Sequence, residues 1–112
     1  MIIKLLKTII CLFVLIKQEI TSKSIKTKSE LAKFSDGSEY IGETNKDGKR
    51  NGVGLMSYSN GDTYIGHWYK DYMTGLGQYN YSNGDRYVGK FSKNKRNGKG
   101  KLYMANGKHL FI

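Results

Sequence analysis

Residues that build catalytic and metal sites are scarce in this sequence, which contains one cysteine, two histidines and no proline. The single Cys11 excludes an intrachain disulfide and a thiolate metal cluster. His67 and His109 lie far apart in the chain, so a paired-histidine metal site and a Cys–His nucleophile pair both lack their residues. We therefore predict a protein that is not an enzyme and that has no cofactor and no small-molecule substrate.

Glycine, tyrosine and positive charge are abundant instead. The chain has 14 glycines and nine tyrosines, which favour turns and strands over helices. Nineteen lysines and arginines against nine acidic residues give a net charge of +10. This balance favours an anionic partner such as phospholipid headgroups, nucleic acid or an acidic protein, unless it is only the solvated surface of a lysine-rich protein.

The first thirty residues differ in composition from the rest. Two lysines precede an uncharged apolar run at residues 9–16, and a polar segment with small residues follows. This order is typical of a secretory signal peptide, and the run is too short to cross a bilayer core of about 30 Å stably. We expect a short apolar helix and a signal peptide at residues 1–22, hence a secreted protein or one in the secretory pathway. A membrane anchor at residues 8–16 is the alternative. Residues 23–31 form a basic, flexible lead-in.

The segment YSNGD occurs twice, at residues 58–62 and 81–85, which are 23 residues apart. A fixed spacing of this size is typical of repeats that pack on their neighbours. Alignment on this segment divides the chain into repeats 40–63, 64–86 and 87–109, with partial units at 32–39 and 110–112. The glycines that recur in register are Gly42, Gly52, Gly54, Gly61, Gly66, Gly75, Gly77, Gly84, Gly89, Gly98, Gly100 and Gly107. The first repeat carries one extra residue, which we place in its loop because loops tolerate insertions.

These positions resemble the MORN (membrane occupation and recognition nexus) repeat, whose unit reads approximately Y-x-G-x-W-x-x-G-x-x-x-G-x-G. Tyr64, Gly66 and Trp68 match its opening, while Thr44 and Phe91 replace the tryptophan in the other two repeats. The resemblance implies consecutive β-hairpins that take part in protein assembly and associate with acidic phospholipids. Similar repeats also precede the catalytic domain of some lipid kinases, but this sequence lacks the glycine loop and catalytic segment of a kinase.

Alternation of side chains along a strand places Tyr64, Gly66 and Trp68 on one side, with Ile65 and His67 on the other. The sequence predicts an all-β protein, an elongated single-layer antiparallel sheet of hairpins joined by Ser-Asn-Gly-Asp turns. Both residues of Asn-Gly tolerate the positive φ of tight turns, and the strand glycines leave room for neighbouring rings. The predicted repeat core contains Phe34, Tyr40, Tyr58, Tyr64, Trp68, Tyr79, Tyr81, Tyr87 and Phe91, with Thr44, Met56, Leu102 and Met104 at equivalent positions.

Two further motifs concern a calcium site and a glycosylation site. Asp62 and Asp85 follow the turns, but one carboxylate per turn supplies too few oxygens for calcium, and no metal site is predicted. Asn80-Tyr81-Ser82 is an N-glycosylation triplet, which makes Asn80 a candidate glycosylation site.

The loops at the far ends of the hairpins carry most of the remaining charge. If the hairpins align, these loops project from one long edge of the sheet and form two basic clusters, which either contact an anionic ligand or membrane or form a solvated edge. The first cluster is Lys46, Lys49 and Arg50, and the second is Lys93, Lys95, Arg96, Lys99 and Lys101.

Taken together, these features predict a non-catalytic interaction or scaffold module. It docks a protein partner or self-associates, with secondary attraction to anionic membranes. The alternatives are a regulatory fragment related to phosphatidylinositol phosphate kinases and a basic nucleic-acid-binding module, the latter disfavoured because the aromatic residues are expected to be buried.

Overall fold

The β-strands of the chain follow one another across a single antiparallel sheet, in the order of the sequence. The computed structural model describes residues 30–112. The strands are β1 (Glu30–Lys33), β2 (Glu39–Thr44), β3 (Arg50–Ser57), β4 (Thr63–Tyr69), β5 (Tyr72–Asn80), β6 (Arg86–Ser92), β7 (Lys95–Tyr103) and β8 (His109–Phe111). The predicted all-β, antiparallel architecture is therefore confirmed, whereas the predicted N-terminal helix lies outside the described residues.

Strand register places tyrosines and glycines in two rows on one face. Tyr64 lies opposite Met56 and Tyr79 on its two neighbouring strands. One step further along, Gly66 lies opposite Gly54 and Gly77. The same pairing recurs in the other hairpins, so we call this side of the sheet the tyrosine face and the other side the opposite face.

Each row tyrosine lies flat across two glycines of its own hairpin. A Cβ atom at Gly77 would lie 2.5 and 2.6 Å from ring carbons of Tyr64, and one at Gly66 would lie 2.6 Å from its hydroxyl. The hydroxyls of Tyr40, Tyr64 and Tyr87 donate to the backbone carbonyl three residues later, at 2.7, 2.9 and 3.1 Å. The paired glycines are thus the floor on which these rings rest, as the sequence predicts.

The core is an aromatic layer on the tyrosine face. Trp68 packs edge-on against Tyr40 and Tyr64, with ring centroids 5.6 and 5.0 Å apart. Phe91 packs the same way between Tyr64 and Tyr87, at 5.0 and 5.2 Å. Each ring at the tryptophan position therefore joins two successive hairpins, and burial of each such side chain contributes roughly 1.5–3 kcal/mol.

Two residues assigned to this layer do not belong to it. Phe34 is 43% exposed, because its ring faces the Arg50 guanidinium at 5.7 Å rather than another described ring. Thr44 is exposed as well, since it is too short to reach the neighbouring hairpin as Trp68 does. The first hairpin therefore contributes Tyr40 and Met56, but neither Phe34 nor Thr44, to the aromatic layer.

We call the Ser-Asn-Gly-Asp turns the joint turns. In the first of them, Ser59, Asn60 and Gly61 form a three-residue loop between Tyr58 and Asp62. Tyr58 N–H donates to the Asp62 carbonyl at 2.8 Å, and Gly61 N–H donates to the Tyr58 carbonyl at 3.0 Å. Within this turn only Gly61 has positive φ, at 94°, so of the two residues that tolerate positive φ only the glycine adopts it. Asn60 instead accepts the Asp62 N–H through Oδ1 at 2.9 Å, which stabilises a type I turn followed by a left-handed glycine.

The turns at the other ends of the strands, the hairpin turns, have a different form. Lys70 and Asp71 have φ values of 46° and 73°, and Lys93 and Asn94 have 49° and 68°. Positive φ at two central residues is the type I′ geometry of a two-residue hairpin. In the first hairpin the extra residue enlarges the loop, which closes with Gly48 at φ 79°, in agreement with its predicted position.

Successive hairpins are locked together by side chains that accept backbone N–H groups. At the joint turns, Asp62 accepts from Ser82 at 2.8 Å and Asp85 accepts from Ala105 at 2.9 Å. At the hairpin turns, Asp71 Oδ1 accepts from Arg50 N–H at 2.8 Å. Each boundary between hairpins is therefore fixed at both ends of the strands.

Asp62 is the most connected of these carboxylates. Besides Ser82, it accepts the Tyr79 hydroxyl at 2.8 Å and the Asn60 amide at 3.3 Å. Its burial opposes the charged form, but these hydrogen bonds outweigh burial and hold the pKa of Asp62 below its ordinary value. Burial and the bond to Asp62 raise the pKa of Tyr79. Asp62 is thus a negatively charged residue that stabilises the fold.

Candidate interaction surface

The first predicted basic cluster contains only two free cations. Arg50 Nε lies 3.0 Å from Asp71 Oδ1, and its guanidinium stacks over the Trp68 ring at 4.7 Å. Its Nη2 also donates to the Asp71 carbonyl at 3.2 Å. The Arg50 side chain is therefore already engaged within the chain, while its assignment to a ligand-binding cluster stays a prediction. Lys46 and Lys49 are exposed in the hairpin loop.

The second predicted cluster is divided between the two faces of the sheet. Lys93 and Lys95 are exposed at the hairpin turn. Arg96 lies opposite Phe91, which places it on the tyrosine face, and its guanidinium is 5.3 Å from the Tyr87 ring. A single loop edge carrying all five cations is therefore wrong, because only Lys93 precedes β7, and the other four lie along that strand.

Lys101 belongs to a cation and aromatic stack on the opposite face. Its register partners are Val88 and Phe111, and its Nζ lies 4.9 Å from the Tyr103 ring and 5.0 Å from the Phe111 ring. The Arg86 guanidinium covers Tyr103 at 4.2 Å. Sequence reasoning missed this stack, although strict alternation from Gly100 onwards places Lys101 and Tyr103 on the same side.

The third repeat has basic side chains but no acidic ones. Residues 86–112 contain no aspartate or glutamate, and among residues 30–112 the only ion pair joins Arg50 to Asp71. The cations of this segment therefore have no carboxylate partner in the part of the chain that the structure describes. They are Arg86, Lys90, Lys93, Lys95, Arg96, Lys99, Lys101 and Lys108.

A cleft of about 440 Å³ opens on the tyrosine face where the second hairpin meets the third. Its floor is formed by Met73 and Phe91, which are 6% and 5% exposed. Its lining residues are Met73, Tyr79, Tyr81, Phe91, Asn94, Lys95 and Arg96. The cleft combines an apolar floor, two tyrosine walls and a cationic rim, which is the composition of a ligand site.

The remaining predicted site residues have structural surroundings. Asn80 Nδ2 donates to Thr63 Oγ1 at 3.0 Å and Asn80 Oδ1 accepts from Gln78 at 2.9 Å, so glycosylation of Asn80, which stays a prediction, requires these bonds to break. Within residues 30–112, no three His, Cys, Asp or Glu side chains come together as a metal site. In the same range, no helix has the length and hydropathy needed to cross a membrane.

Comparison with known proteins identifies the repeat. A protein-family model for the MORN repeat matches residues 46–63, 64–86 and 87–109, together more than half of the chain. A comparison with curated proteins finds no match. The matches at residues 64–86 and 87–109 contain the tyrosines, paired glycines and edge-on aromatic rings of the second and third hairpins, the match at 46–63 covers part of the first hairpin, and the chain belongs to the MORN repeat family.

Proposed function

We propose that this protein is a non-catalytic interaction module that docks an anionic protein partner or a second copy of itself. The observation that carries this proposal is the third repeat, whose lysines and arginines have no carboxylate partner within residues 30–112. The proposal agrees with the general role of MORN repeats as modules for protein and membrane interactions.

The edges of the sheet support association with another chain. Among the described residues, β8 pairs only with β7 and β1 pairs only with β2. Phe111 on β8 is 80% exposed. A strand edge with unpaired backbone groups and exposed apolar side chains is a template for pairing with a further strand.

Attraction to anionic membranes is a secondary part of the proposal. Each lysine or arginine near an anionic surface gains about 1 kcal/mol, and the gain falls off within a Debye length. Lys93 and Lys95 project from the same end of the hairpin, so they approach a flat surface together. The third repeat therefore contributes more to membrane attraction than the first, whose Arg50 is neutralised by Asp71.

The experiment combines light scattering, cross-linking and vesicle sedimentation on the full chain. We expect a dimer or larger species, or cross-linked partner proteins in extracts of the native host, and retention by phosphatidylserine vesicles at low salt. Phosphatidylcholine vesicles are the control. A strict monomer that cross-links to nothing refutes the docking proposal, and equal binding to both vesicle types refutes the membrane proposal.

Export is a separate proposal, supported by the apolar run at residues 9–16 with its preceding lysines. N-terminal sequencing of protein from the native host tests it. A mature chain that starts near Lys23 supports a cleaved signal peptide, and an intact Met1 supports a membrane tether instead.

A further inference from the structure

The cleft between the second and third hairpins has a counterpart one repeat earlier. Each residue of the cleft has an equivalent in the preceding repeat. The equivalents of Met73, Phe91, Asn94 and Arg96 are Arg50, Trp68, Asp71 and Met73, respectively. The two places therefore occupy equivalent positions of successive repeats and differ in their side chains.

The earlier place is filled by the chain itself. The Arg50 guanidinium carbon lies 4.7 Å from the centroid of the Trp68 ring, its Nε donates to Asp71 Oδ1 at 3.0 Å, and its Nη1 reaches the Met56 sulfur at 4.0 Å. The space beside the ring at the tryptophan position is therefore occupied by the chain's own guanidinium.

In the later place, both members of this ion pair are replaced. Met73 stands for the arginine and Asn94 stands for the aspartate. The backbone bond survives, since Met73 N–H donates to Asn94 Oδ1 at 2.8 Å as Arg50 N–H donates to Asp71 Oδ1 at 2.8 Å. The backbone bond is thus kept while the ion pair is removed, and the cleft lies beside Met73 and Phe91, which stay 6% and 5% exposed.

The rim of the cleft also gains positive charge. Where the earlier place has Tyr72 and Met73, the later one has Lys95 and Arg96, both exposed. None of the residues that line the cleft is acidic. A ligand here meets two cations and no anion, so the favoured ligand is negatively charged.

The polar groups of the two walls differ in availability. The Tyr79 hydroxyl is occupied by Asp62 at 2.8 Å, so this residue presents mainly its ring. The Tyr81 hydroxyl makes no hydrogen bond within residues 30–112 and is free to bind a ligand. The Tyr81 ring packs against Tyr79 with centroids 4.8 Å apart, which fixes the wall in place.

We propose that this cleft binds an acidic peptide segment of a partner protein, with an aromatic side chain against the half-buried Tyr79 and Tyr81 rings and flanking carboxylates on Lys95 and Arg96. Carboxylates pair with arginine by charge-assisted hydrogen bonds. The inference rests on the proposed docking function and names the chemistry of the partner.

The test uses the full chain and a pooled library of labelled nonapeptides with phenylalanine at the centre and aspartate or glutamate around it. Fluorescence anisotropy measures binding, and a library with lysine and arginine in place of the acids is the control. We expect the acidic library to bind, with affinity that falls as salt rises, and the basic library not to bind.

Two variants locate the binding. The double variant M73R/N94D rebuilds the earlier repeat and fills the cleft, and the double variant K95Q/R96Q removes the rim charge. Each is expected to weaken peptide binding at least about tenfold, the loss that follows removal of a charge-assisted contact. The charge-matched control K33Q/K70Q, at exposed positions outside the cleft and outside the third repeat, is expected to bind within about twofold of the parent. Trp68 fluorescence and circular dichroism check that all variants are folded.

Each other outcome overturns the assignment. If the acidic library does not bind while the chain still self-associates or cross-links to a partner, the cleft inference is wrong and the docking function stands. If all association is absent, both are wrong. If phosphatidylserine vesicles bind and M73R/N94D abolishes that binding without any peptide binding, the occupant is a lipid headgroup.

Discussion

Replacing Gly77 with alanine tests the packing of tyrosine on glycine. The added Cβ would lie 2.5 and 2.6 Å from ring carbons of Tyr64, closer than side chains pack, so the ring must leave its place. Tyr64 is fully buried, at 0% exposure. Its loss from the core costs roughly 1.5–3 kcal/mol, and its hydroxyl bond to the His67 carbonyl about another 1 kcal/mol. We therefore expect Gly77→Ala to lower the free energy of unfolding by about 2–4 kcal/mol.

The same substitution is expected to cost less than about 1 kcal/mol when Tyr64 is already leucine, because the three nearest atoms to the new Cβ all belong to Tyr64. Gly66→Ala is the comparison, since its Cβ would also face backbone atoms, Gly77 Cα at 2.5 Å and the Leu76 carbonyl at 2.8 Å. Its cost should remain in the leucine background.

Urea denaturation followed by the fluorescence of the single tryptophan, Trp68, measures these free energies. All variants are compared in one concentration of a stabilising osmolyte, so that the double variant is folded without urea. Gly48→Ala, which has open space but positive φ at 79°, measures the backbone cost alone. Additive costs for Gly77 and Tyr64 would refute the packing argument.

Three further predictions concern the charges and hydroxyls. Asp62→Asn is expected to lower the free energy of unfolding by about 1.5 kcal/mol at neutral pH. Because the pKa of Asp62 is lowered in the folded protein, its contribution to stability is lost as pH falls below about 4. The urea denaturation curves of parent and variant should therefore converge at that pH. Burial raises the pKa of Tyr40 and Tyr64. The free energy of unfolding should therefore fall above about pH 10, where tyrosine in the unfolded chain ionises. In a pH titration, the tyrosinate absorbance of the folded protein should rise at a higher pH than that of the unfolded chain. Asp71→Asn alone leaves a partly buried Arg50 without its anion and should cost about 2 kcal/mol, whereas Asp71→Asn with Arg50→Met, which copies the next repeat, should cost less; equal costs in denaturation would contradict this coupling.

The fold was predictable because periodicity and side-chain size act locally. The recurrence of Gly66 and Gly77 beside Tyr64 is visible in the sequence, and only one strand pairing brings these glycines together. The position of the extra residue in the first hairpin was also predictable from the sequence, because an insertion within a strand would disturb the register and a loop accepts it. Phe34 was misplaced because the pattern gives the face of a residue and not what lies beside it.

The candidate site was less predictable because it depends on partners in a neighbouring repeat. Arg50 is one of several basic loop residues in the sequence, and nothing local indicates that Asp71 pairs with it across 21 positions. The cleft depends on the same pair, since it exists where methionine and asparagine replace arginine and aspartate. Comparing equivalent positions between repeats, rather than counting charges within a loop, is the signal that would have found both features.

The backbone caps at each boundary also set a length scale. Every cap joins one repeat only to the next, and each repeat adds two strands spaced about 4.8 Å apart. Insertion of one more copy of residues 64–86 would carry its own caps and widen the sheet by about 10 Å without changing any existing contact. The number of repeats therefore acts as a ruler, which fixes how far apart two groups bound to successive hairpins are held.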